Sequence, residues 1–238
     1  MFYWVMKHVV LGPITRLVYR PWTEGLENVP TDGPVLLCAN HNSFLDSIFM
    51  PLVVPRQVVF LGKSDYFDKW YMSWFFKAAG VIPVRREGGE AGEASLRAGI
   101  QALRDGHAVG IYPEGTRSPD GRLYRGKTGA ARMALRAGCP IVPVAIIGSR
   151  EAQPPDRMMP RRARIGVRFG RPIDVSRYEG KEDDRFVLRS VTDELMYEIM
   201  MLSGQEYVDE YASKYKKQNE AGRPPGSGEQ QPPLRAAG

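Results

Sequence analysis

Apolar residues fall along this chain in blocks of two kinds. Short, nearly continuous apolar runs recur, bounded by Gly, Pro or Asn: "GPVLLCANH" from Gly33, "QVVFLGK" from Gln57, "VIPVRR" from Val81, "AVGIYPEG" from Ala108, "PIVPVAIIG" from Pro140 and "ARIGVRFGRPI" from Ala163. Runs of that length, rich in branched side chains, read as strands buried on both faces. Between them the apolar residues are spaced for helices. Leu96, Ile100 and Leu103 share one face of "EASLRAGIQALRDG", which Gly106 ends. "SFLDSIFMPLVV", "YFDKWYMSWFFKAAG" and "TGAARMALRAG" read as further helices, the last two stopped by glycine. Val187, Val191, Leu195, Ile199 and Leu202 predict an amphipathic helix over 185–203. "EGLENVP" reads as a short strand and turn. Strands alternating with helices predict an α/β fold, with a mostly buried central sheet flanked by helices on both faces.

The two ends depart from this pattern. The first twenty residues, "MFYWVMKHVVLGPITRLVYR", are apolar and aromatic, yet Lys7, His8 and Arg16 interrupt them and Gly12-Pro13 breaks them. A spanning helix needs about 20 mostly apolar residues, and a signal peptide places its charges before the apolar stretch. An interfacial segment fits better, with aromatics at headgroup level and basic residues towards anionic lipid; a helix packed on the core is the alternative. From Lys216 the chain turns to Gln, Pro, Gly and Ser, too polar to offset its ordering entropy. The expected organisation is an interfacial segment over 1–20, a globular domain over 21–215 and a disordered tail over 216–238.

Composition narrows the chemistry. The 238 residues suffice for a sizeable core. A net charge of +6 suits anionic partners such as nucleic acid, acidic lipid or phosphorylated substrates. The excess of Arg over Lys is consistent with bidentate phosphate recognition and equally with a GC-rich genome. Cys38 and Cys139 both lie in apolar runs and read as reduced core residues in a cytoplasmic setting. His8, His41 and His107 are scattered, and no spacing suggests a metal site. "RRARIGVRFGR" is basic but has little aromatic interleaving and no nucleic-acid motif, so a solvated or lipid-facing strand is expected there. "WYMSWFF" reads mostly as core, with some aromatics left over for lipid or an acyl chain.

The candidate chemistry centres on "CANHNSFLDSIF". His41 follows a buried strand, at the end where open α/β sheets bind ligands. Asp46 lies five residues on, inside the predicted helix. Ser43-x-x-Asp46 is a capping pattern, which explains Asp46 without catalysis. It does not explain His41, a residue able to take a proton near neutral pH. A carboxylate on the other ring nitrogen would fix its tautomer, and the capping and catalytic readings are compatible. No G-x-S-x-G elbow occurs in the chain. A His–Asp pair without a nucleophile points to a substrate that brings its own hydroxyl, and so to acyl transfer onto an alcohol. Arginines follow two other strands, in "GVIPVRR" and "YPEGTRS", where they could clamp a phosphate.

A rival motif is Gly121 to Thr128, "GRLYRGKT", which satisfies the P-loop pattern. "TRSPD" rather than a strand precedes it, and its inner Leu and Tyr are bulky for a loop that wraps phosphate. Part of its physics survives: a helix start near Gly126–Gly129, with Lys127, attracts phosphate.

Four of these stretches together resemble the glycerophospholipid acyltransferase family, which includes 1-acylglycerol-3-phosphate acyltransferase. "NHNSFLD" resembles its NHx4D motif; "GVIPVRR" resembles the second motif, with Pro83 in place of an aromatic; "YPEGTRS" resembles the third, with Tyr for Phe; and "IVPVAI" resembles the fourth. They occur in the family's order between about Glu24 and Pro172. "PDGRLYRGKTG" and "SGQEYVD" look like an actinobacterial branch. The resemblance implies a glycerol-3-phosphate acyltransferase-like fold. His41 is then the general base and Asp46 its orienter, while Arg86, Glu114, Gly115, Arg117 and Lys127 bind the acceptor phosphate. It implies an acyl donor thioester, acyl-CoA or acyl-carrier protein, as co-substrate, with neither cofactor nor metal. The acceptor is 1-acylglycerol 3-phosphate (lysophosphatidate) or glycerol 3-phosphate, and the product serves phosphatidic acid and phospholipid biosynthesis. The expected location is the cytoplasmic face of the cell membrane, peripheral or monotopic on an anionic surface, with no nucleic-acid partner. The competing expectations are a P-loop-like nucleotide-binding protein and a non-catalytic lipid-surface binding module.

Overall fold

A computed structural model of the chain describes residues 2–63, 80–84, 91–154, 157 and 159–221. Among these, strands β1 (Trp22–Glu24), β2 (Val35–Ala39), β3 (Val58–Lys63), β4 (Val81–Val84), β5 (Ala108–Ile111), β7 (Ile141–Ile147) and β8 (Gly166–Phe169) form one sheet, in the order β1-β8-β7-β2-β5-β3-β4. All neighbours are parallel except β7 and β8. β2 sits at the centre, Leu37 opposite Gly110 of β5 on one side and Val142 of β7 on the other.

Every residue of β2 is buried, because alternate side chains feed two cores. Leu36 and Cys38 join Leu103, Val109, Ile141, Leu195 and Ile199 beneath helices α4 (Ala91–Arg104), α5 (Gly129–Ala137) and α7 (Arg185–Ser203). Val35, Leu37 and Ala39 join Phe49, Met50, Val144, Ile146 and Val167 on the opposite face, under α3 (Asp46–Val53). The predicted α/β sheet with helices on both faces is therefore the architecture observed. The helix expected over 185–203 is α7, capped by the Asp184 carboxylate, which accepts from the N–H groups of Phe186 and Val187.

The N-terminal segment is helical from Phe2 to Tyr19: α1 (Phe2–Val5), a π-helical stretch Met6–Leu11, and α2 (Gly12–Tyr19). The wider turn brings positions four apart into line. Tyr3, Lys7, Leu11, Thr15 and Tyr19 are the protected ridge, while Trp4, Val9, Ile14 and Leu17 face outward, Leu17 with 78% of its surface exposed. Burial holds the Lys7 ammonium down at about 8, and it donates to the Val54 carbonyl just past α3. The segment is thus docked by one face and open on the other.

Several expectations change. "EGLENVP" is the end of β1 followed by a 3-10 turn, Leu26–Asn28. Helix α3 begins at Asp46, with Leu45 rather than Ser43 at its N-cap. The P-loop candidate is not a phosphate-wrapping loop: Leu123–Tyr124 at its middle is β6, fully buried, paired parallel with β9 (Tyr207–Val208). Those two bulky side chains pack inward, so the nucleotide-binding alternative loses its structural basis. The tail expected to be disordered from Lys216 is helical there, within α8 (Ala212–Ala221). Residues 222–238, the aromatic helix expected in 66–80 apart from Gly80, and Arg86 lie outside the described residues. A short helix, α6 (Ser149–Ala152), follows β7.

Candidate active site

β2 ends at Ala39, and the next residues are pinned to both neighbouring strands. The Asn40 side chain accepts from the Ile146 N–H at 2.7 Å and donates to the Ile146 carbonyl at 3.1 Å, clamping β2 to the end of β7. From the β5 side, the His41 N–H donates to Glu114 Oε1 at 3.2 Å, and the Ser118 N–H donates to the His41 carbonyl at 2.7 Å. His41 therefore stands at the carboxyl end of the central strand, where ligands meet open parallel sheets.

Its ring is oriented twice. His41 Nδ1 lies 2.9 Å from Asp46 Oδ2, and the ring stacks on Tyr112 with centroids 3.8 Å apart and planes 10° from parallel. Asp46 is fully buried, and the same Oδ2 accepts the N–H groups of Asn42 at 2.7 Å and Ser43 at 2.8 Å. Capping and orientation are thus one interaction, as the sequence allows, though the agent is the Asp46 carboxylate reaching back rather than the Ser43 hydroxyl reaching forward. Ser43 Oγ instead accepts from the Leu45 N–H at 3.2 Å. A carboxylate that takes Nδ1–H leaves the Nε2 lone pair to receive a proton. The His41 side chain keeps 16% of its surface exposed.

Tyr112 closes the back of the site. Its hydroxyl pairs with Ser47 Oγ at 2.9 Å, and burial, assisted by the nearby Asp46 charge, holds the phenol well above its ordinary range. Ser47 and Ser43 are thus both engaged in holding the loop and α3. Tyr112 enters the sequence reading only as a variant letter of a motif. Nothing short of the fold shows that its ring lies flat on His41.

The family resemblance gives Glu114 to the acceptor phosphate; in the fold both of its oxygens meet backbone N–H groups. It is 1% exposed, and its two oxygens accept the N–H groups of His41 and of Tyr124, the latter at 2.9 Å. Burial pushes its carboxyl up to about 7, against the pull of those two hydrogen bonds; Asp46 pushes the same way and Lys216 opposes. A buried acid so engaged positions the His41 loop and β6. The surface beside it belongs to Gly115, Arg117 and Lys127. Gly115 is left-handed, at φ 73°, and a Cβ there would stand 3.2 Å from Lys127 Nζ, so the turn needs glycine. Lys127 and Arg117 are both exposed around this turn. The remaining predicted phosphate ligand, Arg86, lies outside the described residues. The strand before it, β4, ends on the same side of the sheet but is separated from β2 by β5 and β3, about 14 Å at ordinary strand spacing.

Residues near the C-terminal end of the domain complete the site. The Gln205 amide donates to Asn42 Oδ1 at 3.2 Å and to the Gly121 carbonyl at 2.6 Å, and its oxygen accepts from Asn40 at 2.7 Å. It thereby ties the His41 loop to the loop after Ser118. Arg150, after β7, donates to the Pro119 carbonyl at 3.1 Å. "SGQEYVD" was visible as a motif, but not that it folds back onto His41. Among the described residues, no group of three or more His, Cys, Asp or Glu side chains could hold a metal ion.

Comparison with known proteins identifies relatives of the chain. Over 137 residues, 57% of this chain, the sequence is 35% identical to a chloroplastic 1-acyl-sn-glycerol-3-phosphate acyltransferase of Arabidopsis thaliana, of which the match covers 38%. It is 33% identical over 124 residues, 51% of this chain, to the 1-acyl-sn-glycerol-3-phosphate acyltransferase of Bacillus subtilis, of which it covers 60%. The chain thus spans less than two thirds of these relatives. The crystal structure of the 1-acyl-sn-glycerophosphate acyltransferase of Thermotoga maritima superposes with a TM-score of 0.62 at 25% identity, over 81% of this chain and 80% of that one. Residues 20–147, more than half of the chain and including His41, Asp46 and the Glu114–Arg117 turn, match the model of the Acyltransferase family, and to that family the protein belongs.

Proposed function

We propose that this protein moves a fatty acyl group from acyl-CoA or acyl-carrier protein to a hydroxyl of 1-acylglycerol 3-phosphate or glycerol 3-phosphate. The observation that carries the reading is the His41–Asp46 pair, 2.9 Å apart at the end of the central strand, beside an exposed Lys127 and Arg117. In this mechanism His41 Nε2 takes the proton of the acceptor hydroxyl as its oxygen attacks the thioester carbonyl. The buried Asp46 carboxylate steadies the imidazolium so formed. Collapse of the tetrahedral intermediate breaks the C–S bond, and the proton returns from His41 to the leaving thiolate. The ester forms, the free thiol departs, and no group of the enzyme is acylated. Lys127 and Arg117, with Arg86, hold the acceptor phosphate and bring its hydroxyl within reach of the base. Purified protein given either donor and either acceptor is expected to release free thiol in step with ester formation. Vesicle binding with no thiol release from any of the four pairs would overturn this reading in favour of a lipid-surface binding module.

The proposed setting is the cytoplasmic face of the cell membrane. The outward face of residues 2–19, with Trp4, Val9, Ile14 and Leu17 exposed, suits the headgroup and upper acyl region. Lys7, His8 and Arg16 border a cavity of about 230 Å³ between the segment and the end of α3, which Leu52 and Val53 also line. Among the described residues no helix is long and apolar enough to cross a membrane, which agrees with a segment that lies in the surface. Removing residues 1–20 is expected to weaken sedimentation with anionic vesicles; equal binding of both forms would show that the segment does not carry it.

A further inference from the structure

Helix α8 is held against the turn beside His41 by contacts spread over its approach. β9 pairs with β6, Ala212 is fully buried, and the Tyr215 ring lies 5.4 Å from that of Tyr124, with the Arg122 guanidinium 5.6 Å from Tyr215. This docking carries Lys216 to the turn, where its Nζ donates to Thr116 Oγ1 at 2.9 Å. Lys127 lies along the preceding residue, Gly115, and Arg117 is the residue that follows. Two ammonium groups from separate segments therefore reach one turn, on which Arg117 is the next, exposed residue. The acid at their centre, Glu114, is buried and committed to two backbone N–H groups. Basic side chains brought to one exposed turn favour an anionic ligand there.

We propose that Lys216 is a further binding residue for the acceptor, its ammonium meeting the phosphate monoester alongside Lys127 and Arg117. The inference rests on the acyltransfer reading for the identity of the ligand but is tested by binding, so the two can fail separately. The shared chemistry is a phosphate monoester, and both acceptor and CoA carry one; the assignment is to the acceptor. The dissociation constants of short-chain lysophosphatidate and of CoA are measured by calorimetry on the full chain, for the wild type and for Lys216→Met, which keeps the apolar stem. Loss of one charge-assisted contact predicts acceptor binding about tenfold weaker. CoA binding and the melting temperature should hold, and Lys216→Arg should restore the acceptor. Unchanged lysophosphatidate affinity, or a loss confined to CoA, overturns the proposal. A lowered melting temperature with unchanged affinity in the folded fraction does so too, and assigns Lys216 to docking α8. Should Lys216→Met not fold, Lys216→Gln replaces it, with the same outcomes. A wild type that binds lysophosphatidate but releases no thiol would remove the activity and leave the site standing.

Discussion

Lys216 aside, replacing His41 with alanine is expected to lower turnover by about 100- to 10,000-fold, the usual contribution of a positioned general base, while the protein still folds. The loop is held by the His41 backbone, not the ring: its N–H is taken by Glu114 and its carbonyl by Ser118. What alanine removes is the stack on Tyr112, worth about 0.5–1.5 kcal/mol, and the hydrogen bond to Asp46. Asp46 would keep the N–H groups of Asn42 and Ser43 as partners. Thiol release under saturating donor, read beside a thermal unfolding curve, separates the two effects. Turnover that survives in a folded variant would show that His41 is not the base.

Asp46→Asn should be the second large loss, and a more selective one. The amide is nearly the same size, and its oxygen can occupy the position of Oδ2. The contacts to Nδ1–H and to the two backbone N–H groups are then retained in kind and weakened by loss of the charge. The imidazolium that forms during proton transfer is no longer stabilised, and the tautomer is no longer fixed, because the amide can also present an N–H to the ring. A fall in kcat of about 1,000-fold or more is expected, with a far smaller change in acceptor KM. Asp46→Ala should add a stability defect of a few kcal/mol, since two buried backbone donors lose their acceptor. An Asp46→Asn enzyme with near wild-type kcat would reduce Asp46 to a cap. Equal losses of stability in the Asn and Ala variants would mean that the charge, rather than the acceptor geometry, builds the loop.

The fold was readable in the sequence wherever burial sets the pattern. β2, β5 and β7 are covered on both faces, so their apolar runs are unbroken, and α7 shows its stripe because one side faces the sheet. The pairing of His41 with Asp46 was readable too, because the two lie five residues apart and the geometry is local. What could not be read depends on distant partners. Gln205 meets Asn42 across 163 residues, and Lys216 meets Thr116 across 100; neither pairing leaves a periodicity. The part of helix α8 from Lys216 on was read as the start of a tail because the helix lacks an apolar stripe, being anchored through Ala212 and Tyr215. Glu114 shows the same limit. A motif says that a carboxylate stands there, but whether it faces substrate or backbone depends on whether its neighbours exclude water, and here they do.

The central place of β2 also orders the assembly of the site in time. The contact between His41 and Asp46 involves only β2 and the start of α3, segments adjacent in the chain, and such contacts close at small cost in loop entropy. The Glu114 clamp must wait for β5, 73 residues on, and the Asn40 clamp for β7, 106 residues on. The Gln205 tie and Lys216 come last. A chain emerging from the ribosome would hold the histidine and the aspartate long before it held the segments that clamp and tie their loop. Partial chains would then lack both the Gln205 tie and the Lys216 contact.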